Sequence, residues 1–238
     1  MLSAEGKLGV ANIGLTVGRV VSAPFDENTY IAHLGDGAEC VVIDPGFEPQ
    51  AIIDYMSERS LTPAAILCTH GHSDHIGGNA ALKQRWPACP IVIGVLDADK
   101  LTNPELNLSA AFGYAVTSPP ADRTLREGEQ VSAAGMEFDV FDTPGHSVGH
   151  IVLLSKQVTP WQLFGGDVLF AGSVGRTDLP GCSFEVLERS IHEKLFTLPD
   201  DTIVLPGHGP SITIGREKRR NPFVGAPAGY RDSRNAGE

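Results

Sequence analysis

Three histidines and an aspartate, His70, His72, Asp74 and His75, fall within six residues directly after the apolar run Ala64 to Cys68. Imidazole and carboxylate are the donors that zinc and iron favour. A turn at a strand's end lets closely spaced side chains converge on one point, which a straight strand would not. Gly71, Gly77 and Gly78 supply the backbone freedom such a turn needs. A single histidine there would read as part of a solvated turn, but four donors at this density read as a metal site. Three more sites end an apolar run and pair a donor with glycine: Thr143-Pro144-Gly145-His146, Gly165-Gly166-Asp167 and Pro206-Gly207-His208-Gly209.

The elements that must position these donors follow from periodicity. Asn28 to Leu34 and Glu39 to Ile43 read as strands joined by the hairpin turn Gly35-Asp36-Gly37. Ala51, Ile52, Tyr55 and Met56 predict a helix over Glu48 to Arg59, followed by the strand Ala64 to Cys68. Gly77 to Trp86 reads as a helix stopped by Pro87, and Ile91 to Val95 as a strand. Asp97 to Pro120 has no clear period and predicts a long loop, with room for one helical turn, that borders the substrate cleft through Asn107, Leu108, Ser109 and Phe112. Further β-runs follow at Gln130 to Val131, Met136 to Asp142, His150 to Ser155 and Trp161 to Phe164. Ser183, with Glu185 and Glu188, suits the start of a helix running to Phe196, and Thr202 to Leu205 reads as a last strand. Strands, helix, strand, helix occur twice, which predicts two similar halves packed as one domain. That domain is expected over residues 18–225, after an extension at 1–17 and before a tail at 226–238; an edge strand through Leu15 to Val17 is the alternative for the start.

Composition narrows the class. The 238 residues are 42% hydrophobic and 20% charged with 27 Gly and 17 Pro, a turn-rich globular chain rather than a fibrous or disordered one. The net charge of -11 repels phosphate backbones at long range, so no nucleic-acid partner is expected. Cys40, Cys68, Cys89 and Cys182 form no C-x-x-C pair, the start lacks the marks of a signal peptide, and no apolar stretch is long enough to span a bilayer. These features predict reduced thiols, no membrane association and a cytoplasmic location.

The motifs resemble those of the metallo-β-lactamase superfamily. Its H-x-H-x-D-H signature matches His70, His72, Asp74 and His75, and its later His, Asp and His match His146, Asp167 and His208, over roughly residues 18 to 225. The resemblance implies a four-layer αββα sandwich with two divalent metal ions at the strand ends, zinc first and iron or manganese as alternatives. It implies that His70, His72 and His146 hold one ion, that Asp74, His75 and His208 hold the other, and that Asp167 bridges, with Asp74 and Asp167 counted as catalytic. An open position in such a site can bring the pKa of a bound water to about 7, giving a hydroxide nucleophile without serine or cysteine.

Within the superfamily, the run Leu169 to Gly181 and the tail Glu217 with Asn221-Pro222-Phe223 resemble the shorter bacterial glyoxalase II-like proteins. That branch implies hydrolysis of a thioester, S-D-lactoylglutathione or a related hydroxyacyl thioester, as the small-molecule substrate. Longer members carry Lys nine residues after the bridging Asp and Tyr two further on, where this chain has Arg176 and Asp178, and they add a helical domain. Arg176 can fork a carboxylate, with Asn107 and Phe112 as further substrate contacts, or it can be tied up in an ion pair with Asp178. A persulfide dioxygenase, with one iron on His70, His146 and Asp167, is the rival, and a general esterase or lactonase the second. A β-lactamase would carry another residue for Asp167, and a binding module would have lost donors. His150 reads as a satisfied strand-edge histidine, with a role beside the metal as the alternative. His33 and His192 read as ordinary, Cys68 as buried filling, and Arg216, Lys218, Arg219 and Arg220 as a solvated helix end.

Overall fold

In the computed structural model, which describes residues 14–232, nearly continuous burial along the strands sets the first half of the molecule. Leu15–Ser22 (β1) pairs antiparallel with Glu27–Leu34 (β2), which pairs antiparallel with Glu39–Ile43 (β3). The helix Pro49–Glu58 (α1) then carries the chain over to Thr62–Cys68 (β4), parallel to β3. Two short helices, Ser73–Ile76 (α2) and Asn79–Arg85 (α3), precede Ile91–Gly94 (β5), and Arg123–Leu125 (β6) completes a six-stranded sheet in sequence order.

The second half makes another six-stranded mixed sheet. Gln130–Ala133 (β7), Met136–Asp142 (β8), Ile151–Ser155 (β9) and Gln162–Gly166 (β10) form an antiparallel meander. A small hairpin, Leu169–Phe170 (β11) with Ser173–Val174 (β12), leads to the helix Phe184–Ser190 (α4) and a π-helical turn, Ile191–Leu195. Ile203–Pro206 (β13) returns parallel to β10, and Ile212–Thr213 (β14) and the helix Ile214–Arg220 (α5) finish the order β14-β13-β10-β9-β8-β7.

Alternation along each strand sorts the core into three layers. Val41 and Ile43 of β3 and Ile151 and Leu153 of β9 point between the sheets, where they meet Leu67, Phe138 and Phe164. Their neighbours Val42, Val152 and Leu154 point outward. On one face Val42 lies under Ile52, Met56 and Leu82 of the helices. On the other, Val152 and Leu154 lie under Leu187, Ile191 and Leu195. Strands buried on both faces are apolar throughout, which is why β3, β4 and β9 read as continuous hydrophobic runs. The αββα sandwich and its two halves in one domain are as expected.

Boundaries differ in places. β1 starts at Leu15, because Leu15, Thr16 and Val17 pair with Leu34, His33 and Ala32, the edge strand named as the alternative for the start. Residues 1–13 of the expected extension and 233–238 of the expected tail lie outside the described residues. The stretch from 226 is not a loose tail: Tyr230 packs against His192 and Phe196, and Asp232 lies 3.6 Å from Lys218. The helix expected from Gly77 to Trp86 is observed as Asn79–Arg85; a separate short helix, Ser73–Ile76, precedes it, and the Gly78 N–H between them is diverted to Pro45 O at 2.8 Å. The long loop contains two 3-10 turns, Val95–Leu101 and Ser109–Phe112. The basic run is not simply solvated, since Lys218 is buried and bonded to Leu198 O and Asp200. Among the described residues no helix is long and apolar enough to cross a membrane.

Candidate metal centre

The donors meet at one rim of the sandwich. His70 and His72 follow β4, His146 lies in the β8–β9 turn, Asp167 follows β10 and His208 follows β13, while Asp74 and His75 sit on α2. Among the described residues three donor groups form whose ligand atoms lie within 4.8 Å of one another: His70 with His72 and His146, Asp74 with His75 and His208, and, behind them, Asp44 with His70 and His75. His72 Nδ1 is 3.1 Å from His70 Nε2 and 2.9 Å from His146 Nε2. Around one tetrahedral zinc, nitrogens about 2.05 Å from the ion lie about 3.3 Å apart, so these separations suit three donors facing a common centre. Asp167 stands between the groups: Oδ2 is 3.5 Å from both His146 Nε2 and His208 Nε2, and Oδ1 is 3.4 Å from His75 Nε2. Asp74 Oδ2 lies 3.4 Å from His208 Nε2.

These residues fit metal ions on grounds internal to the fold. His75 Nε2 and Asp167 Oδ1 are buried side-chain atoms without a hydrogen-bond partner, a state that normally marks a missing ligand or ion. Burial, reinforced by the neighbouring imidazoles, pushes the pKa of His70 and His72 far down, and burial also lowers that of His146. All three are therefore held in the neutral form that a metal requires. His75 goes the other way: burial opposes its charge, but Asp167 and Asp74 outweigh burial and raise its pKa. Asp167 is lowered in return, the imidazoles overcoming its own burial. A carboxylate pair that draws a proton onto a buried histidine is a pair poised for a cation.

A surrounding set of bonds fixes the rings. His146 Nδ1–H donates to Arg176 O at 2.9 Å and His208 Nδ1–H to Phe25 O at 3.0 Å. His75 Nδ1–H donates to Asp44 Oδ2 at 3.1 Å, and the same carboxylate accepts from Thr69 N–H and Oγ1–H at 2.7 and 2.6 Å. Such partners set the tautomer and the direction of the free nitrogen. Glycines admit the close packing. Gly166 has φ of +46°, and a Cβ there would lie 2.3 Å from Thr69 Oγ1 and 2.7 Å from His150 Nε2. A Cβ at Gly207 would lie 2.3 Å from Asp167 Oδ1.

Of the expected substrate contacts, Phe112 and Arg176 line a pocket of about 540 Å³ over the donors. Arg176 presents its guanidinium to Asp178 through two 2.8 Å bonds, the ion-pair alternative, while its carbonyl holds His146. Asn107 borders the pocket but is a loop organiser. Its amide donates to Lys100 O and Val116 O, and its oxygen accepts from Ser109 N–H and Oγ–H, leaving nothing to offer a substrate. His150 is satisfied as expected, yet does more. Its Nε2 accepts from the Asp167 N–H at 3.0 Å, its Nδ1–H donates to Thr143 Oγ1 at 3.0 Å, and its ring stacks on His70. His33 contacts Gly35 O and His192 contacts Val224 O, ordinary backbone partners, and burial pushes the Cys68 thiol far up.

Sequence reasoning missed two positions, Asp44 and Asp97, and named a third, Glu217, without its structural role. Asp44 repeats the apolar run, donor, glycine pattern in Val42-Ile43-Asp44-Pro45-Gly46, a signal that was available. Asp97 clasps both donor turns, accepting from Gly71 N–H at 2.9 Å, Gly149 N–H at 2.8 Å and Ser147 Oγ–H at 2.5 Å. The buried Glu217 accepts from Gly172 N–H at 2.8 Å and Asn221 Nδ2–H at 3.1 Å, and Asn221 also donates to Ser173 O, so the tail motif props the β11–β12 hairpin against the pocket.

Comparison with known proteins agrees with this geometry. The family model described as metallo-beta-lactamase superfamily matches residues 23–208. Hydroxyacylglutathione hydrolase GloC of Haemophilus influenzae is 39% identical over 194 residues, 79% of this chain and 89% of that one. The crystal structure of TTHA1623 in a di-iron-bound form is 40% identical with a TM-score of 0.77, covering 87% of this chain and 100% of that one. The structure of BLEG-1, a B3 metallo-beta-lactamase, is 38% identical with a TM-score of 0.84, covering 88% and 99%.

Proposed function

Because the chain belongs to the metallo-β-lactamase superfamily, we infer that it is a hydrolase with two divalent cations that cleaves a thioester. S-D-lactoylglutathione is the reference substrate, and other hydroxyacyl thioesters and, more broadly, esters or lactones are open to the same site. One observation carries the reading: the second donor group, Asp74, His75 and His208, is complete, and Asp167 stands within 3.5 Å of donors from both groups. His70, His72 and His146 would hold one cation, Asp74, His75 and His208 the other, and Asp167 both. When bound, divalent cations supply Lewis acidity, which acidifies water and polarises a carbonyl. In the overall reaction the C–S bond breaks, a C–O bond to water's oxygen forms, and the released sulfur ends as thiol or thiolate.

The chain's own residues set the stage for that reaction. Asp44, Thr69 and His150 keep the donors' free atoms aimed inward. Zinc is the first choice of metal. Iron gains support from the di-iron form of TTHA1623 at 40% identity, and manganese suits the same donors. The name of GloC, at 39% identity, supports a glutathione thioester as the class to test.

The test is elemental analysis of the purified protein with S-D-lactoylglutathione turnover in air and under anaerobic conditions. Two metals per chain and oxygen-independent thioester loss are expected. One iron per chain with oxygen uptake on glutathione persulfide, and no thioester loss, would move the protein to the dioxygenase reading. The likeness to BLEG-1 makes a chromogenic β-lactam the control for amide opening.

A further inference from the structure

We propose that the thioester taken by this pocket is uncharged and carries an apolar arm, in preference to an anionic glutathione conjugate. The inference rests on thioester hydrolysis and concerns only the groups that flank the reacting carbonyl. Around the donors the wall is made by Phe25, Leu108, Phe112, Phe170, Val174 and Leu179. Arg176 is the one arginine or lysine in that lining, the histidines there being metal donors, and both arms of its fork that face Asp178 are occupied at 2.8 Å. Asp178 is exposed, so its charge stays solvated beside Arg176. A substrate carboxylate brought to Arg176 therefore meets a neutral pair rather than a free cation. The other carboxylates in the lining, Asp74 and Asp167, belong to the metal donors and are acceptors only, so they give a remote substrate carboxylate no hydrogen bond.

The mouth of the pocket supplies the complementary half. Phe112 is 54% exposed and Tyr114 39%, although both are large rings. They sit on and just after the 3-10 turn Ser109–Phe112, with Phe112 edge-on to Phe25 at 5.6 Å and stacked with Tyr114 at 6.3 Å. Contiguous exposed apolar surface beside a polar centre marks a ligand groove more often than a structural accident. An alkyl or aromatic arm laid from the reacting carbonyl toward Phe112 would cover it.

The experiment compares kcat/KM of the metal-loaded enzyme on three substrates: S-D-lactoylglutathione, S-D-lactoyl-N-acetylcysteamine and S-(3-phenylpropanoyl)-N-acetylcysteamine. The phenylpropanoyl thioester is expected to exceed lactoylglutathione by about tenfold or more, the scale of one well-filled apolar contact. Phe112→Ala should erase most of that advantage through KM. Asp178→Asn, at an exposed position, should raise the ratio of lactoylglutathione to phenylpropanoyl turnover about three- to tenfold by freeing Arg176. Lactoylglutathione turned over as well as the apolar thioester, or ratios that neither substitution moves, would overturn the proposal and leave thioester hydrolysis standing. Failure of all three thioesters with two metals bound would remove thioester hydrolysis itself.

Discussion

Replacing His150 separates the support of the metal centre from the metal ligands. The ring is buried, takes the Asp167 N–H on Nε2 at 3.0 Å and gives its Nδ1 proton to Thr143 at 3.0 Å. His150→Phe keeps the volume and the stacking on His70, whose centroid is 4.8 Å away, but leaves the Asp167 N–H and Thr143 Oγ1 without partners. An unsatisfied buried group costs about 1–3 kcal/mol. Part of that falls on Asp167, which both donor groups share, so cation affinity should drop about 10- to 100-fold, or about 1.4–2.7 kcal/mol. His150→Gln keeps an acceptor near the Nε2 position and should fall between wild type and Phe. Competition against a fluorescent chelator reads affinity, and urea melts of the metal-free proteins read the stability cost. A folded His150→Phe protein that binds metal as tightly as wild type would refute the view that this bond positions Asp167.

Asp167→Ala and His70→Ala should each abolish turnover while circular dichroism stays close to wild type; undiminished turnover in either would undo the site assignment. Gly207→Ala would press a methyl within 2.3 Å of Asp167 Oδ1 and 2.6 Å of His75 Cε1, and should cut metal content below two ions per chain by elemental analysis without unfolding the sandwich. The stability of the metal-stripped protein should peak near the ordinary histidine pKa, about 6.5. His70, His72, His146 and His150 are lowered chiefly by burial, so below that pH the unfolded chain takes up protons the native one refuses and stability falls with acid. His75 and His208 are raised by their carboxylate neighbours against burial, so their contribution is complete below 6.5 and is lost as pH rises. Urea midpoints that change in one direction only between pH 5 and 9 would contradict this balance.

What could be read from the chain beforehand divides along a physical line. Donor atoms announce themselves because metal binding needs particular residue types in short, glycine-rich turns, and His70, His72, Asp74, His75, His146, Asp167 and His208 were all legible. The strands β3, β4 and β9 were legible because burial on both faces forbids polar residues. Asp97 was not, since its partners Gly71 and Gly149 lie 26 and 52 residues away and are backbone amides that leave no mark in sequence. Asn107 was legible as a cleft-side residue but not as the organiser of its loop, because its side chain bonds to Lys100 O, Val116 O and Ser109, contacts that leave no mark in sequence. The helix boundaries at Gly77 and Ser190 depended on one diverted amide and one π-turn, neither of which a period of 3.6 can specify.

The donors are drawn from turns between residue 70 and residue 208, on both sheets of the sandwich. No short segment of the chain can therefore hold the full pair of ions in advance of the fold. The centre exists only once the two halves have docked, which places it among the late, long-range closures that slow folding. Captured ions would then act as a clasp between the halves: they would slow the parting of the sheets far more than they speed their meeting, and lifetime rather than folding rate would record their presence.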